Sequence, residues 1–380
     1  MAWYSYVLVC AVAALGTAVA APLVIRIASK FDVIDYPDGR RVNTSPTPRL
    51  GGVALFFGIA LALAAFLLLE GDFDPAAATA GTAGAVGAAK GINYLGATLA
   101  VVVIFAVGVI DDFKDIKARY KLLGQIVAAG IAAASGVLFD SFTNPFTNSI
   151  VELGAWAYPI TVFYLVAFAN IINLIDGLDG LAAGIVAISA VALFLLSIGK
   201  GGFDAAILAL AIIGACMAFL FYNSHPAKLF MGDSGSLLLG FALGLVSLFG
   251  VVRTPALITL LIPVVIAGIP VLDTLAAIIR RLRAGKSVIS ADAEHMHHRF
   301  IDFGLDQRTT VLIMYALSAL LSIAALAFVQ YEGVVRWVIF FALIALIILL
   351  VWRLGLMKSV LKHHYNKRNE EQNEQNEPKG

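Results

Sequence analysis

Residues 101–112 read VVVIFAVGVIDD, an apolar run that ends in two adjacent carboxylates. The run begins near Ile92, so its apolar part is close to the ~20 residues that a helix needs to cross the hydrocarbon core of a bilayer. It lacks the alternation of a membrane β-strand, and we therefore predict a helix. Asp111 and Asp112 would repel each other at the negatively polarised end of that helix, so a cation or a proton is needed beside them.

Apolar runs of this kind recur along the whole 380-residue chain. Hydrophobic residues make up 61% of it and charged residues only 13%, against ~25% charged residues in soluble domains. This composition excludes a water-soluble surface and predicts an all-α, polytopic integral membrane protein with about 11 transmembrane helices. The predicted spans are residues 3–25, 50–69, 92–110, 121–138, 157–175, 181–199, 203–222, 235–251, 255–279, 309–330 and 334–355.

The positive charges predict the orientation, because loops rich in Lys and Arg stay in the cytoplasm. Of the 26 Lys and Arg residues, four lie on one side of the predicted bilayer. These four are Lys90, Lys200, Arg253 and Arg336. We therefore expect the N-terminus outside and the C-terminus in the cytoplasm. Residues 1–356 are predicted to form the transmembrane domain, and residues 357–380 a basic and then disordered cytoplasmic tail.

Clusters of polar residues suited to catalysis or binding lie at helix ends on the predicted cytoplasmic side. They are residues 46–52 (PTPRLGG), 111–121, 170–180 (NIINLIDGLDG), 221–235 and 292–299 (DAEHMHHR). Functional groups from separate loops would thus meet at one membrane face.

The segment NLIDGLDG carries oxygen ligands at a regular spacing. Asn173, Asp176 and Asp179 are three residues apart, which places them on one face where a helix frays. Carboxylate and amide oxygens suit Mg²⁺, although an Asx turn that caps a helix would use the same residues. Asp233, in the segment MGDSG, can act as such a ligand or as the N-cap of the following helix.

The segment HMHH, with His295, His297 and His298 followed by Arg299, places three imidazoles within four residues. Zinc and an inert solvated loop are two interpretations, but the spacing matches none of the standard zinc-ligand patterns. Recognition of an anion by imidazole and guanidinium donors is favoured, because further Arg and Lys residues precede the segment. With Mg²⁺ ligands, this describes a phosphoryl-transfer site between a cytoplasmic nucleotide and a phosphate with a membrane-embedded tail.

The same motifs, in the same order from about residue 46 to residue 300, resemble the polyprenyl-phosphate N-acetylhexosamine-1-phosphate transferases. This superfamily, glycosyltransferase family 4, contains WecA, TagO and MraY. The resemblance implies transfer of an N-acetylhexosamine 1-phosphate from a UDP-sugar to undecaprenyl phosphate, with release of UMP.

The resemblance also implies roles for individual residues and a cofactor. Mg²⁺, with Mn²⁺ as an alternative, would be held by Asn173 and Asp233. Asp111 would act on the lipid phosphate, supported by Asp112, with Lys121 near the phosphates. The nucleotide would contact Asp176, Asp179, Asn223 and Phe230, and the sugar and diphosphate His295, His297, His298 and Arg299.

Met296 interrupts the histidine run, which is similar to the WecA and TagO branch and favours UDP-GlcNAc. A muramyl-peptide nucleotide, the substrate of members with three consecutive histidines, stays open, as do other UDP-N-acetylamino sugars.

We expect a multi-pass protein of the bacterial plasma membrane, with UDP-sugar and polyprenyl phosphate as partners, no nucleic acid, and a homodimer left open. A secondary transporter and a membrane zinc hydrolase are rivals; the transporter is disfavoured because the deepest acid, Asp273, lies near the end of its span.

Overall fold

The computed structural model describes residues 3–37, 45–69, 91–143, 149–199, 202–251 and 305–331, with isolated positions in 268–271 and 333–349. Within these residues the chain forms long helices joined by short connections. The helices are α1 (Trp3–Lys30), α2 (Gly51–Leu69), α3 (Tyr94–Lys114), α4 (Ala118–Ala134), α5 (Ala157–Ile175), α6 (Leu181–Gly199), α7 (Phe203–Asn223), α8 (Gly232–Val251) and α9 (Gln307–Gln330).

Eight of these helices are long and apolar enough to cross a membrane. The remaining one, α4, has 17 residues and corresponds to the predicted span 121–138. The prediction of an all-α, polytopic membrane protein is therefore confirmed. The predicted spans 255–279 and 334–355 lie largely outside the described residues, so the number of spans and the side of each terminus stay predictions.

Two helix boundaries differ from the predicted ones in a way that matters for the acidic residues. Helix α3 continues to Lys114, so Asp111 and Asp112 lie in its last turn and do not follow it. Asp115 ends the helix in a left-handed conformation with φ of 45°. Helix α8 begins at Gly232, and therefore Asp233 lies in its first turn. Both acidic motifs are thus part of helices, so the directions of their side chains are more restricted than they would be in a loop.

Two short antiparallel strand pairs join the helical framework. β1 (Ile34–Asp35) pairs with β2 (Thr47–Pro48), directly before α2. β3 (Ser141–Thr143) pairs with β4 (Ile150–Glu152) in the connection between α4 and α5. The sequence gives no clear signal for either pair because each strand is only two or three residues long. The first pair positions the start of α2 beside the polar end of the helical bundle.

The acidic residues lie where the ends of α3, α4, α5 and α8 come together. Helix α3 packs against α4 and α8, and α5 packs against the same two helices. Within the membrane part, the buried hydroxyl groups of Tyr164 on α5 and Ser247 on α8 form a hydrogen bond of 2.8 Å. Small residues allow close approach elsewhere, since a Cβ atom on Gly16 of α1 would lie 3.0 Å from the Cα atom of Gly58 on α2.

Candidate active site

The PRLGG segment lies against the segment that precedes α8. The backbone N–H of Gly51 donates to the carbonyl of Phe230 (2.9 Å), and that of Gly52 donates to the carbonyl of Met231 (2.9 Å). Phe230 in turn donates its N–H to the carbonyl of Pro48 (2.8 Å). A Cβ atom at position 52 would lie 2.1 Å from the backbone nitrogen of Gly235, so only glycine fits there. Two motifs 180 residues apart thus form one surface.

The side chain of Asp112 caps the N-terminus of α8 from the neighbouring helix. Its two carboxylate oxygens accept the backbone N–H groups of Asp233 (2.7 Å) and Ser234 (3.1 Å). These donors are among the four that an α-helix leaves unpaired at its start. Gly232, with φ of 69°, makes the approach possible, because a Cβ atom there would lie 2.7 Å from both oxygens of Asp112.

Lys121 connects the acid of α3 with the acid of α8. Its Nζ atom lies 3.0 Å from Oδ2 of Asp111 and 2.7 Å from Oδ2 of Asp233. The Lys121 side chain is 16% exposed, so these pairs are much less screened than surface ion pairs. The other oxygen of Asp111 accepts the backbone N–H of Ile116 (2.8 Å). Both oxygens of Asp111 are therefore engaged by protein donors.

Asn173 completes this group from the last turns of α5. Its amide nitrogen donates to Oδ1 of Asp233 and to Oγ of Ser236 (2.8 Å). Its amide oxygen faces the ammonium of Lys121 at 3.4 Å. Four helices, α3, α4, α5 and α8, therefore contribute one functional side chain each: Asp111, Lys121, Asn173 and Asp233.

Asp176 follows α5 directly and lies close to the same acids. Burial, together with the negative charges of Asp233, Asp112 and Asp179, raises the pKa of Asp176 to about 8. Asp111, Asp112, Asp176 and Asp233 thus form an acidic group that contacts a single described cation, Lys121. Additional positive charge at this place would stabilise the ionised carboxylates.

Asp179 contacts the loop that follows α7. One of its oxygens contacts Nδ1 of His225 (2.8 Å) and accepts the backbone N–H of Ala227 (3.1 Å). Asn223, which is 3% exposed, lies nearby. It accepts the N–H of Gly180 (3.0 Å) and donates to the carbonyl of Leu229 (2.9 Å). In this structure Asn223 therefore joins two loops.

The residues present fit a hard divalent cation with few protein ligands. Within the described part of the chain, no group of three or more His, Cys, Asp or Glu residues is arranged to hold a metal ion. Mg²⁺ does not need such a group, because it commonly uses one or two carboxylates and takes water and substrate phosphate as further ligands. The amide oxygen of Asn173 and Oδ2 of Asp233 both face Nζ of Lys121, at 3.4 Å and 2.7 Å, and together they provide that minimal set.

Comparisons with known proteins agree with this geometry. The family model for glycosyl transferase family 4 matches residues 94–251, which contain the whole group of four side chains. A relative from Bacillus subtilis (strain 168), named "Probable undecaprenyl-phosphate N-acetylglucosaminyl 1-phosphate transferase", is 38% identical over 329 residues. The match covers 86% of this chain and 85% of the relative. The chain belongs to glycosyl transferase family 4.

Other relatives in the family carry related names. A "Decaprenyl-phosphate N-acetylglucosaminephosphotransferase" from Mycolicibacterium smegmatis is 35% identical, over 80% of this chain and 78% of the relative. A "Phospho-N-acetylmuramoyl-pentapeptide-transferase" from Desulforamulus reducens is 36% identical, over 74% of this chain and 81% of the relative. The resemblance found in the sequence motifs is thus confirmed at the level of the family.

The predicted site residues of this family 4 member divide into three groups. Asp111, Asp112, Lys121, Asn173 and Asp233 lie together in direct contact. Asp176, Asp179 and Phe230 belong to the adjoining loops, and Asn223 is the last residue of α7 beside them. His295, His297, His298 and Arg299 lie outside the described residues. The role of each residue stays a prediction.

The structure also brings in residues that the motifs alone did not single out. The guanidinium of Arg49 forms an ion pair of 2.8 Å with Asp115, which ties the PRLGG segment to the end of α3. His225 contacts Asp179, and Gln125 on α4 pairs with Asn170 on α5. Arg49, His225 and Asn170 lie inside quoted motifs, which was a usable signal. Gln125 stands outside them, and its only signal is a polar side chain in an otherwise apolar stretch.

Proposed function

We propose that the protein transfers N-acetylglucosamine 1-phosphate from UDP-GlcNAc to undecaprenyl phosphate. An oxygen of the lipid phosphate attacks the sugar-bearing phosphorus of the nucleotide diphosphate. The bond between that phosphorus and the bridging oxygen breaks, and UMP leaves with the oxygen and its electron pair. The product is undecaprenyl diphosphate carrying GlcNAc, which starts a lipid-linked envelope glycan.

One observation carries this proposal: Asp111, Lys121, Asn173 and Asp233 meet at the ends of four helices, of which α3, α5 and α8 are long and apolar enough to cross a membrane. A site at such a boundary can receive a water-soluble nucleotide from one side and a phosphate on a hydrophobic chain from the other. The names of the relatives, which specify polyprenyl phosphate and N-acetylglucosamine, support the same substrates.

Lys121 would bind the reacting phosphates, and Asp233 would act on them only by holding the cation. The ammonium of Lys121 already lies between two carboxylates and can turn toward phosphate oxygens with little movement. Asp233 and Asn173 would hold Mg²⁺, with Mn²⁺ as an alternative. Bound there, the cation would neutralise charge that develops on the diphosphate. Asp112 would keep Asp233 in place through the N-terminus of α8.

Asp111 would position the lipid phosphate or take its remaining proton. The second pKa of a phosphate monoester is near ~6, so the acceptor is largely dianionic at neutral pH and needs little activation. The two oxygens of Asp111 contact Lys121 and the N–H of Ile116, which makes this carboxylate a poor nucleophile. We therefore favour direct attack in one step over a covalent aspartyl intermediate.

Asp176, Asp179, Asn223 and Phe230 are proposed to border the nucleotide. We propose that His295, His297, His298 and Arg299 contact the diphosphate and the sugar as hydrogen-bond donors, without a metal of their own. The enzyme would lie in the bacterial plasma membrane with this site facing the cytoplasm, where UDP-sugars are available. It requires no nucleic acid, and a homodimer is one open arrangement.

Purified protein in lipid nanodiscs should release UMP from UDP-GlcNAc only when undecaprenyl phosphate and Mg²⁺ are both present. Addition of EDTA should stop the release, and restored Mg²⁺ should recover it. Asp233→Asn serves as the inactive control in the same nanodiscs. UMP release without the lipid acceptor, or a lipid product that contains no GlcNAc, would contradict the proposal.

A muramyl-pentapeptide nucleotide is the second candidate donor. It is supported by the 36% identity to the relative from Desulforamulus reducens. The same assay with UDP-MurNAc-pentapeptide separates the two donors. We expect kcat/KM to favour UDP-GlcNAc, and the reverse preference would assign the muramyl-peptide reaction.

A further inference from the structure

A reciprocal amide pair lies directly beside the acidic site, between α4 and α5. The amide nitrogen of Gln125 donates to Oδ1 of Asn170 (3.3 Å), and the amide nitrogen of Asn170 donates to Oε1 of Gln125. Asn170 also donates to the backbone carbonyl of Val166 (2.8 Å) within its own helix. Gln125 is 1% exposed. A buried and a half-buried amide thus satisfy each other.

The spacing along the two helices places this pair one turn beneath the functional side chains. Gln125 follows Lys121 by four residues on α4, and Asn170 precedes Asn173 by three residues on α5. Residues three or four apart share a helix face. The contact between Lys121 and Asn173 and the pair of Gln125 with Asn170 are therefore successive layers between the same two helices.

The two layers differ in how freely their side chains can move. Lys121 reaches Asp233 on α8 through a long side chain with four rotatable bonds. The position of its ammonium therefore depends on the position of α4. In the layer below, a mismatch between α4 and α5 would leave the buried amide of Gln125 without its partner, which is costly in a low-dielectric environment. The amide pair consequently resists a shift of α4 along α5.

We infer that Gln125 and Asn170 are positioning residues that set the place of Lys121 and Asn173 relative to Asp233. They act through the register of α4 against α5 and contact no substrate. The pair is uncharged and lies one turn below the charged side chains, so it separates them from the apolar part of α4 and α5. The inference rests on the proposed function where turnover is the readout, and on the geometry alone where metal-dependent stability is measured.

The test is a two-step exchange that keeps the amide chemistry. Gln125→Asn removes one methylene, so the amide falls short of Asn170. Adding Asn170→Gln restores the combined length of the pair. We expect Gln125→Asn to lower kcat by about ten-fold or more, with KM for UDP-GlcNAc changed less than about two-fold, because small displacements of catalytic groups affect the reaction more than binding. The double variant should regain most of the lost kcat.

Tyr164→Phe is the matched control. It removes the buried hydrogen bond to Ser247 between α5 and α8, away from the site, and should keep kcat within about two-fold even where Tm falls as in Gln125→Asn. The inference is overturned by wild-type kcat in Gln125→Asn, by an equal kcat loss in Tyr164→Phe, or by a double variant no better than Gln125→Asn.

The rise in Tm on adding Mg²⁺ and UMP gives a readout that does not depend on which transfer occurs. It should shrink in Gln125→Asn, return in the double variant and stay in Tyr164→Phe. Absence of transfer by the wild-type protein contradicts the proposed function, whereas an undiminished Tm rise in Gln125→Asn contradicts the positioning role. The two failures are thereby distinguished.

Discussion

The carboxylate of Asp112 accepts the backbone N–H of Asp233 at 2.7 Å, across the contact between α3 and α8. Of the two adjacent acids, Asp112 therefore holds the start of α8, while its neighbour Asp111 faces Lys121. Adjacent residues on a helix point in different directions, so a DD pair can serve two purposes at once.

Asp112→Asn should lower stability as well as activity. An amide that turns its nitrogen toward the start of α8 leaves a buried backbone N–H without an acceptor, which costs ~1–3 kcal/mol. We expect a lower Tm in nanodiscs and a lower kcat, because Asp233 loses its fixed position. Asp115→Asn is the control, since Asp115 is 78% exposed and its ion pair with Arg49 contributes little. An unchanged Tm for Asp112→Asn would show that the cap is dispensable.

Asp233→Asn should abolish most activity with little loss of stability. The substitution keeps the shape of the side chain but removes the charge that would hold the cation, and kcat should fall by ~10³-fold. Asp204→Asn is a matched control, because Asp204 also lies in the first turn of a helix but pairs with Tyr94. Near-normal turnover of Asp233→Asn at saturating Mg²⁺ would remove Asp233 from the metal site.

The helices were predictable because each span needs a long apolar run, and eight described helices meet that requirement. The meeting of Asp111, Lys121, Asn173 and Asp233 was predictable in outline, since all four lie at or next to the ends of such runs on one predicted side. Their individual contacts were not, because they depend on how α3, α4, α5 and α8 pack.

Asp179 shows where the sequence argument was wrong in detail. The three-residue spacing from Asn173 through Asp176 to Asp179 predicted one common helix face. Helix α5 ends at Ile175, so Asp179 follows the turn of the chain and contacts His225 instead. A spacing rule holds only while the helix continues, and the two Gly residues in this segment favour its end.

Lys121→Met should reduce kcat by ~10²–10³-fold, because it removes the cation between Asp111 and Asp233 and leaves their repulsion uncompensated. Lys121→Arg should recover part of the activity, since the charge returns with a different shape. The control is Lys117→Met. Lys117 lies four residues earlier, is exposed, and makes no side-chain hydrogen bond to the start of α4. Equal activity of Lys121→Met and Lys117→Met would exclude a role of Lys121 in the reaction.

Cysteine labelling should place the site on the cytoplasmic side. In a background of Cys10→Ser and Cys216→Ala, Glu152→Cys in β4 should react with a membrane-impermeant maleimide on intact cells. Lys117→Cys, near the site, should react only after the cells are opened. Both positions are exposed, so access to the reagent depends on the side of the membrane. The opposite pattern would invert the orientation that the positive charges predict.

Asp176→Asn should stabilise the metal-free protein, and more so as the pH rises toward 8. In the folded protein the pKa of Asp176 is about 8, against an ordinary value near ~3.9 in the unfolded chain. Folding therefore takes up a proton between these values, so the wild-type protein loses stability from pH ~4 up to about 8. The Asn variant has no such titration.

The measurement is the difference in Tm between Asp176→Asn and the wild-type protein in EDTA at pH 5, 6, 7 and 8. Asp140→Asn, a change of the same kind in the connection between α4 and α5, provides the baseline for charge removal. We expect the difference to grow with pH for Asp176→Asn beyond the baseline that Asp140→Asn provides. Mg²⁺ should reduce the growth, because a nearby cation favours the ionised carboxylate. A difference that is constant or shrinks with pH would mean that Asp176 is already ionised in the folded protein at pH 5.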